Sequence, residues 1–263
     1  MINISDISCQ IYAKLLYQPT NNQKKIVEAF AEYLTEDDSS SIFVLNGYAG
    51  TGKTTIVSAI VAALKSVGIR SVLLAPTGRA AKVLSHYSGE KAFTIHKHIY
   101  RERTNASYES KFSLNINRDK DVIYIVDEAS MLSTHTGSDG VQFGSGSLLE
   151  DLVQYVRSGR NCRLVLVGDN AQLPPVGADF SPALDSVEMS QFGDVVYGSM
   201  DEVVRQEQDS GILFNATLVR CMLENKIYEI GDKFRLSKEK KIARKEHFSN
   251  RSLISSNWAS ESF

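Results

Sequence analysis

The stretch Gly47-Tyr48-Ala49-Gly50-Thr51-Gly52-Lys53-Thr54-Thr55 fits the pattern Gly-x-x-x-x-Gly-Lys-Ser/Thr at every fixed position. Its residue types suit the holding of phosphate, with a Gly-rich turn that binds nothing as the alternative. Gly47, Gly50 and Gly52 let the backbone turn back on itself, so that successive N–H groups point into one concavity. A helix starting there adds the positive end of its dipole. Lys53 would reach the β- and γ-phosphates of a nucleotide, and the Thr54 hydroxyl would hold Mg²⁺. Farther along, the apolar run Val122-Ile123-Tyr124-Ile125-Val126 ends in Asp127-Glu128. Asp127 would hold the Mg²⁺ shell through water, and Glu128 would polarise the water that attacks the γ-phosphate. A strand entering an acidic turn is the bland alternative.

These residues need elements to position them. Ile42 to Leu45 reads as a buried strand before the loop, and Ile56 to Leu64 as a helix after it. Ser71 to Ala75 is a second buried strand running into Pro76-Thr77-Gly78-Arg79, with a helix beginning at Ala80. Thr77, Arg79 and Lys82 therefore sit where a strand's carboxyl end meets a helix start, the edge that carries ligand sites in open α/β sheets. They could contact a phosphodiester backbone or simply cap a solvated helix. Val122–Val126 is continuous enough to be buried on both faces. Arg163 to Val167 is another such strand, delivering Gly168-Asp169-Asn170-Ala171-Gln172-Leu173-Pro174-Pro175-Val176 at its end. Asp194 to Tyr197 suggests a further strand.

The flanking segments are less decisive. Asp6 to Tyr17 has helical spacing, and Pro19 stops it. Lys24 to Leu34 forms a second helix, with Thr20 as N-cap and Gln23 completing a capping box. The Gln23 amide could instead recognise an adenine edge. Ala92 to Tyr100 mixes aromatic and basic residues, which suits base stacking with phosphate contact but equally a half-buried strand or helix. His96 and His98 have no Cys or Asp neighbour that would make a metal site. Arg101 to Arg118 reads as a polar surface excursion and Ser133 to Ser147 as a Gly- and Ser-rich mobile stretch. Leu148 to Val156 is helical. Arg205 reads from spacing as a surface arginine or a γ-phosphate sensor. Lys238, Lys240, Lys241, Arg244 and Lys245 mark a basic, apolar-poor tail of the kind that stays solvated.

Composition sets outer limits. The 263 residues are 43% hydrophobic and 23% charged, an ordinary globular balance. The net charge of −2 and pI near 6.2 give no global nucleic-acid signature, so a DNA site would have to be a local patch. Cys9, Cys162 and Cys221 are scattered, which suits a reducing, cytoplasmic setting. The start lacks the features of a signal peptide, and no apolar run has the length of a membrane span.

In this order the pieces resemble a superfamily 1 DNA helicase of the RecD/Pif1-like group, from about Pro19 to Leu223. Gly47–Thr55 resembles that group's motif I, Ala75-Pro76-Thr77-Gly78-Arg79-Ala80-Ala81 its motif Ia, and Thr94-Ile95-His96 the short motif after it. Val126-Asp127-Glu128-Ala129-Ser130-Met131 resembles motif II, Gly168 to Val176 motif III, and Val204-Arg205-Gln206 motif IV. The resemblance implies an α/β, RecA-like P-loop NTPase fold: a mostly parallel sheet with helices on both faces. It implies ATP and Mg²⁺ as cofactors, bound by Gln23, Gly47, Gly50, Thr51, Gly52, Lys53, Thr54 and Thr55, with Thr54 and Asp127 on the metal. Catalytic roles fall to Lys53, Asp127, Glu128, Gln172 and Arg205, with Gln172 coupling the γ-phosphate to DNA. Thr77, Arg79 and His96 would lie along single-stranded DNA, with movement 5′ to 3′.

The expected organisation is a helical segment at 1–35, a RecA-like ATPase domain at 36–200, the opening of an incomplete second motor domain at 201–232, and the tail at 233–263. No second motor domain is recognisable after Leu223, so a separate domain or protein partner would complete the ATP cleft. The chain alone is then expected to bind ATP, hydrolyse it slowly and not unwind duplex. The rival readings are a non-catalytic ATP- or DNA-binding module and a phosphate-loop kinase or transporter ATPase. The Gln-x-Pro-Pro loop and the later Arg-Gln speak against the last.

Overall fold

The structure, a computed structural model, describes residues 4–104, 110–134 and 143–202. Arg205, the amphipathic segment after it and the basic tail lie outside the described residues, as does all of 201–263 beyond Glu202. The described strands are the apolar runs of the sequence. They are β1 (Ile42–Gly47), β2 (Arg70–Ala75), β3 (Ala92–Thr94), β6 (Val122–Val126), β7 (Arg163–Gly168) and β8 (Val195–Met200), with a separate pair β4 (Tyr100–Thr104) and β5 (Ser110–Leu114). The six form one sheet in the order β3-β2-β6-β7-β1-β8, every pairing parallel. β7 lies between β6 and β1, so the Asp127-Glu128 pair and the phosphate loop are two strands apart with the Gly168-Asp169 turn between them.

Each central strand is buried on both faces because alternate residues enter two different cores. Phe43, Leu45, Leu73, Ile123, Ile125, Val165 and Val167 meet α1 (Ile4–Lys14), α2 (Asn21–Thr35), α3 (Lys53–Ser66) and α4 (Gly78–Ser88). Ile42, Val44, Leu74, Tyr124, Val126, Leu164 and Leu166 meet α5 (Ile95–Ile99), α6 (Leu148–Ser158) and α7 (Ser186–Ser190). The expected architecture, helices on both faces of a mostly parallel sheet, is what the chain forms. Helices α1 and α2 share the core of α3.

Helix starts follow their caps. The Thr20 hydroxyl accepts the Gln23 N–H at 3.3 Å while Gln23 Oε1 accepts the Thr20 N–H at 3.1 Å, a complete capping box. The Ser147 hydroxyl caps α6 by accepting the Glu150 N–H at 3.3 Å. At the far end of α2, the buried Arg163 donates to the carbonyls of Tyr33, Asp38 and Glu36. It thereby satisfies two acceptors at the helix terminus, Tyr33 and Glu36, and one in the loop beyond it.

Two segments differ from expectation. The polar excursion after Tyr100 contains an antiparallel ribbon, with Tyr100 opposite Leu114 and Thr104 opposite Ser110. It looked unstructured because a two-stranded ribbon buries only a few side chains, here Tyr100 with the partly buried Phe112 and Leu114. The segment Ala92–Tyr100 is neither strand nor helix throughout but β3 running directly into α5. Of the Gly- and Ser-rich stretch, the described end is ordered by Asp151. Its carboxylate accepts the Ser145 N–H at 3.0 Å and the Tyr100 hydroxyl at 2.6 Å.

Candidate nucleotide site

The phosphate loop joins β1 to α3 at the carboxyl edge of the sheet. Gly50 and Gly52 hold φ of 85° and 92°, left-handed values that favour glycine. A Cβ on Gly52 would stand 2.6 Å from Gln23 Nε2, and one on Gly47 would stand 3.1 Å from Thr51 Oγ1 and 2.8 Å from Met200 Cβ. The loop is therefore closed from behind by protein, and its open side is where Thr54 and Thr55 are exposed. Thr51 is fully buried. Its hydroxyl turns inward to donate to the Tyr48 carbonyl at 2.8 Å, leaving only its backbone for a ligand.

Lys53 Nζ donates to the carbonyls of Gly47 and, at 2.9 Å, Tyr48, and forms an ion pair with Asp169 at 3.6 Å. Burial pushes the Lys53 ammonium below its ordinary value, opposed by Asp169 and then by Glu128 and Asp127. So one cation faces three carboxylates brought from the ends of two strands. Asp127 Oδ1 accepts the Glu128 N–H at 3.0 Å, and its Oδ2 accepts the Tyr87 hydroxyl at 2.5 Å. Glu128 has φ 56° and ψ 39°, a left-handed residue at the strand end. Its carboxyl is raised above the ordinary value, first by burial and then by Asp127, while Lys53 and a hydrogen bond from Gln172 pull it back. The Ser130 hydroxyl donates to Gln172 Oε1 at 3.5 Å, so Gln172 bridges Glu128 and Ser130.

Gln23 is buried and both ends of its amide are engaged within the chain. Its Oε1 closes the capping box, and its Nε2 donates to the Thr51 carbonyl at 3.2 Å. The cap thereby sets this amide against the phosphate loop. The donor set suits Mg²⁺: Thr54, Asp127 and Glu128 offer only oxygen, which that ion takes. Among the described residues no group of three or more His, Cys, Asp or Glu could hold a metal by itself. An ion here would share its shell with nucleotide phosphates and water.

The residues expected along DNA lie on the same carboxyl edge but toward its other end, after β2 and β3. Thr77 caps α4, its hydroxyl accepting the Ala80 N–H at 3.2 Å, and Arg79 is exposed one residue into that helix. His96 is half-buried on α5, with its ring 5.0 Å from Phe143 and 5.7 Å from Tyr100. Burial lowers its pKa below the usual histidine value, so it offers a ring face and a neutral imidazole in place of a charge. Two residues of the site went unassigned in the sequence. Asp169 is adjacent in sequence to a strand end and could have been found by that position alone. Tyr87 left no signal, because it reaches Asp127 across forty positions of chain from a neighbouring helix.

A family model described as "AAA domain" matches residues 18–220. The ATP-dependent RecD2 DNA helicase of Deinococcus radiodurans is 32% identical over 61% of this chain, which spans 20% of that protein's length. The ATP-dependent DNA helicase dda of Enterobacteria phage T4 is 34% identical over 50% of this chain and 28% of its own length. The crystal structure of the Pif1 helicase from Candida albicans superposes with a TM-score of 0.50 at 20% identity, covering 82% of this chain and 46% of that one. The chain thus spans well under a third of the length of these two sequence relatives. The parallel sheet agrees with the fold of the Pif1 structure, and the chain, similar in sequence to the RecD2 and dda helicases, belongs to the AAA-domain family.

Proposed function

We propose that this chain is an ATP-binding and ATP-hydrolysing domain of a DNA helicase, in which nucleotide turnover is coupled to single-stranded DNA moving 5′ to 3′. The observation that carries the reading is the convergence of Lys53, Asp127, Glu128, Asp169 and Gln172 beside one glycine-cradled loop. Mg²⁺, when bound, would supply neutralisation of the phosphate charge. The chain's own part is positioning. The amides after Gly47, Gly50 and Gly52 line the phosphate concavity, and Lys53 exchanges its carbonyl partners for phosphate oxygens. The Thr54 hydroxyl and Asp127 would hold the ion. Glu128, held by Gln172, accepts a proton from the attacking water. Gln172 would then register the γ-phosphate as Glu128 changes its charge. To read the adenine edge, Gln23 would exchange its contact with the Thr51 carbonyl for the base.

On the DNA side, Arg79 supplies charge, while Thr77 offers the exposed N-terminal amides of α4 and His96 an aromatic face for a base. Arg205 lies outside the described residues. An unpaired, exposed Cys9 fits work in a reducing cytoplasm.

The test is steady-state ATP hydrolysis by the purified chain, with and without a single-stranded oligonucleotide, and with Lys53→Ala as the blank. DNA-stimulated hydrolysis that disappears in Lys53→Ala is the expected result. A rate equal to the blank under both conditions would instead favour a nucleotide- or DNA-binding module without its own chemistry.

A further inference from the structure

We propose that Tyr87 is a positioning residue for the metal end of this site, holding the Asp127 carboxylate in the orientation from which it meets the hydration shell of a divalent cation. The proposal rests on the reading of Asp127 given above. Tyr87 is the penultimate residue of α4, partly buried against the core shared by α1, α2 and α3. Its hydroxyl donates to Asp127 Oδ2 at 2.5 Å. Asp127 Oδ1 already accepts the Glu128 N–H at 3.0 Å. With one donor on each oxygen, rotation of the carboxylate would break a bond, so its plane is fixed before any ligand arrives. Each oxygen keeps a further lone pair for water of a cation's shell.

The tyrosine is itself anchored. Its backbone carbonyl accepts the Ser58 hydroxyl at 3.0 Å, and Ser58 lies on α3, the helix that begins with Lys53. The end of α4 is therefore tied both to the phosphate-loop helix and to the acid of β6. The phenol is a neutral O–H donor. A neutral donor is what the task requires. A lysine or arginine at this place would hold the carboxylate too, but its charge would compete with the incoming cation. Partners that orient a metal's ligands commonly change affinity for the metal by about 10- to 100-fold when removed, which sets the size of effect to look for.

The experiment uses the full chain and Tyr87→Phe, which keeps the ring in its packing and removes only the hydroxyl. Binding of a fluorescent ADP analogue is titrated against Mg²⁺, and separately measured in EDTA, with thermal unfolding as the check on folding. The expected result is a half-saturating Mg²⁺ concentration raised roughly tenfold in Tyr87→Phe, with affinity in EDTA unchanged. Asp127→Asn should show the same or a larger shift, and Tyr87→Phe added to it should shift the midpoint no further. An unchanged Mg²⁺ midpoint in a folded Tyr87→Phe chain overturns the proposal. So does an equal loss of affinity in EDTA, since Tyr87 would then act on the loop as a whole. Should Asp127→Asn leave Mg²⁺ dependence intact, the underlying assignment of Asp127 fails, and the role of Tyr87 fails with it.

Discussion

Glu128 combines a left-handed backbone, φ 56°, with a half-buried carboxyl whose pKa lies above the ordinary 4.5. Non-glycine residues hold such a conformation only where their surroundings impose it, at a cost on the order of 1 kcal/mol or more. The strain turns the side chain back toward Lys53 and Gln172, where a base is needed. Glu128→Gln should lower hydrolysis by about 10²- to 10⁴-fold, the usual worth of a general base, while a fluorescent ATP analogue still binds. Since the carboxylate form is the active one, kcat/KM should fall as pH drops through a value above 4.5. Asp169 gives a complementary prediction on the alkaline side. It holds the Lys53 ammonium up against burial, so Asp169→Asn should lower the Lys53 pKa further. Loss of ADP binding with rising pH should then begin at a lower pH than in the parent chain, and an unmoved alkaline limb would count against their coupling. At this scale the sequence was legible wherever chemistry was contiguous: Lys53 and Thr54 in one loop, Asp127 and Glu128 in one turn. Tyr87 was not legible, because nothing local distinguishes a tyrosine that packs from one that also donates to an acid on another strand.

Helix α2 shows how an element can serve structure and site together. Its capping box sets Gln23 with one end of the amide on the Thr20 N–H and the other on the Thr51 carbonyl. Thr20→Ala removes the hydroxyl that accepts the Gln23 N–H and should cost about 1 kcal/mol of stability, as N-cap losses do. It should also weaken nucleotide binding, because the first turn that sets the Gln23 side chain loosens without its cap. Thermal unfolding and ADP titration of the same variant separate the two, and an effect on stability alone would mean that the amide's own contacts, with the residue-20 N–H and the Thr51 carbonyl, suffice. Most element types could be read because buried parallel strands are continuous apolar runs and helices keep a 3.6-residue period. The β4–β5 ribbon could not. Arg101-Glu102 and their neighbours show little alternation, and the pairing is set by contacts of Tyr100 and Phe112 with Phe143, a residue far along the chain.

Across the whole described molecule, the two cores meet only through the sheet, and the order of its strands decides what can talk to what. That order, with β7 inserted between β6 and β1, brings Asp169 and Gln172 between the phosphate loop and the acidic pair. Strand order is a long-range property that hydrophobic pattern does not encode, so the motif residues could be named before their juxtaposition could be seen. A nucleotide that binds only the folded state adds stability in proportion to the logarithm of its concentration, about 2.7 kcal/mol at a hundredfold excess over Kd. Mg²⁺·ADP should therefore raise the unfolding temperature of the parent chain and leave that of Lys53→Ala nearly unchanged.

Arg163 grips the carbonyls of Tyr33, Glu36 and Asp38 from the start of β7, while the Tyr33 hydroxyl donates to the Leu164 carbonyl at 2.9 Å. Gln23 pins the opposite end of the same helix to the phosphate loop. Fraying from either end is thereby suppressed, and the middle of α2 should open only when the sheet itself opens. In hydrogen exchange the amides of Phe30 to Leu34 should then be as slow as those of Val165 and Leu166, one cooperative unit of unfolding. An Arg163→Ala chain would release that end, and protection would fall first in α2, at the side of the molecule farthest from any nucleotide.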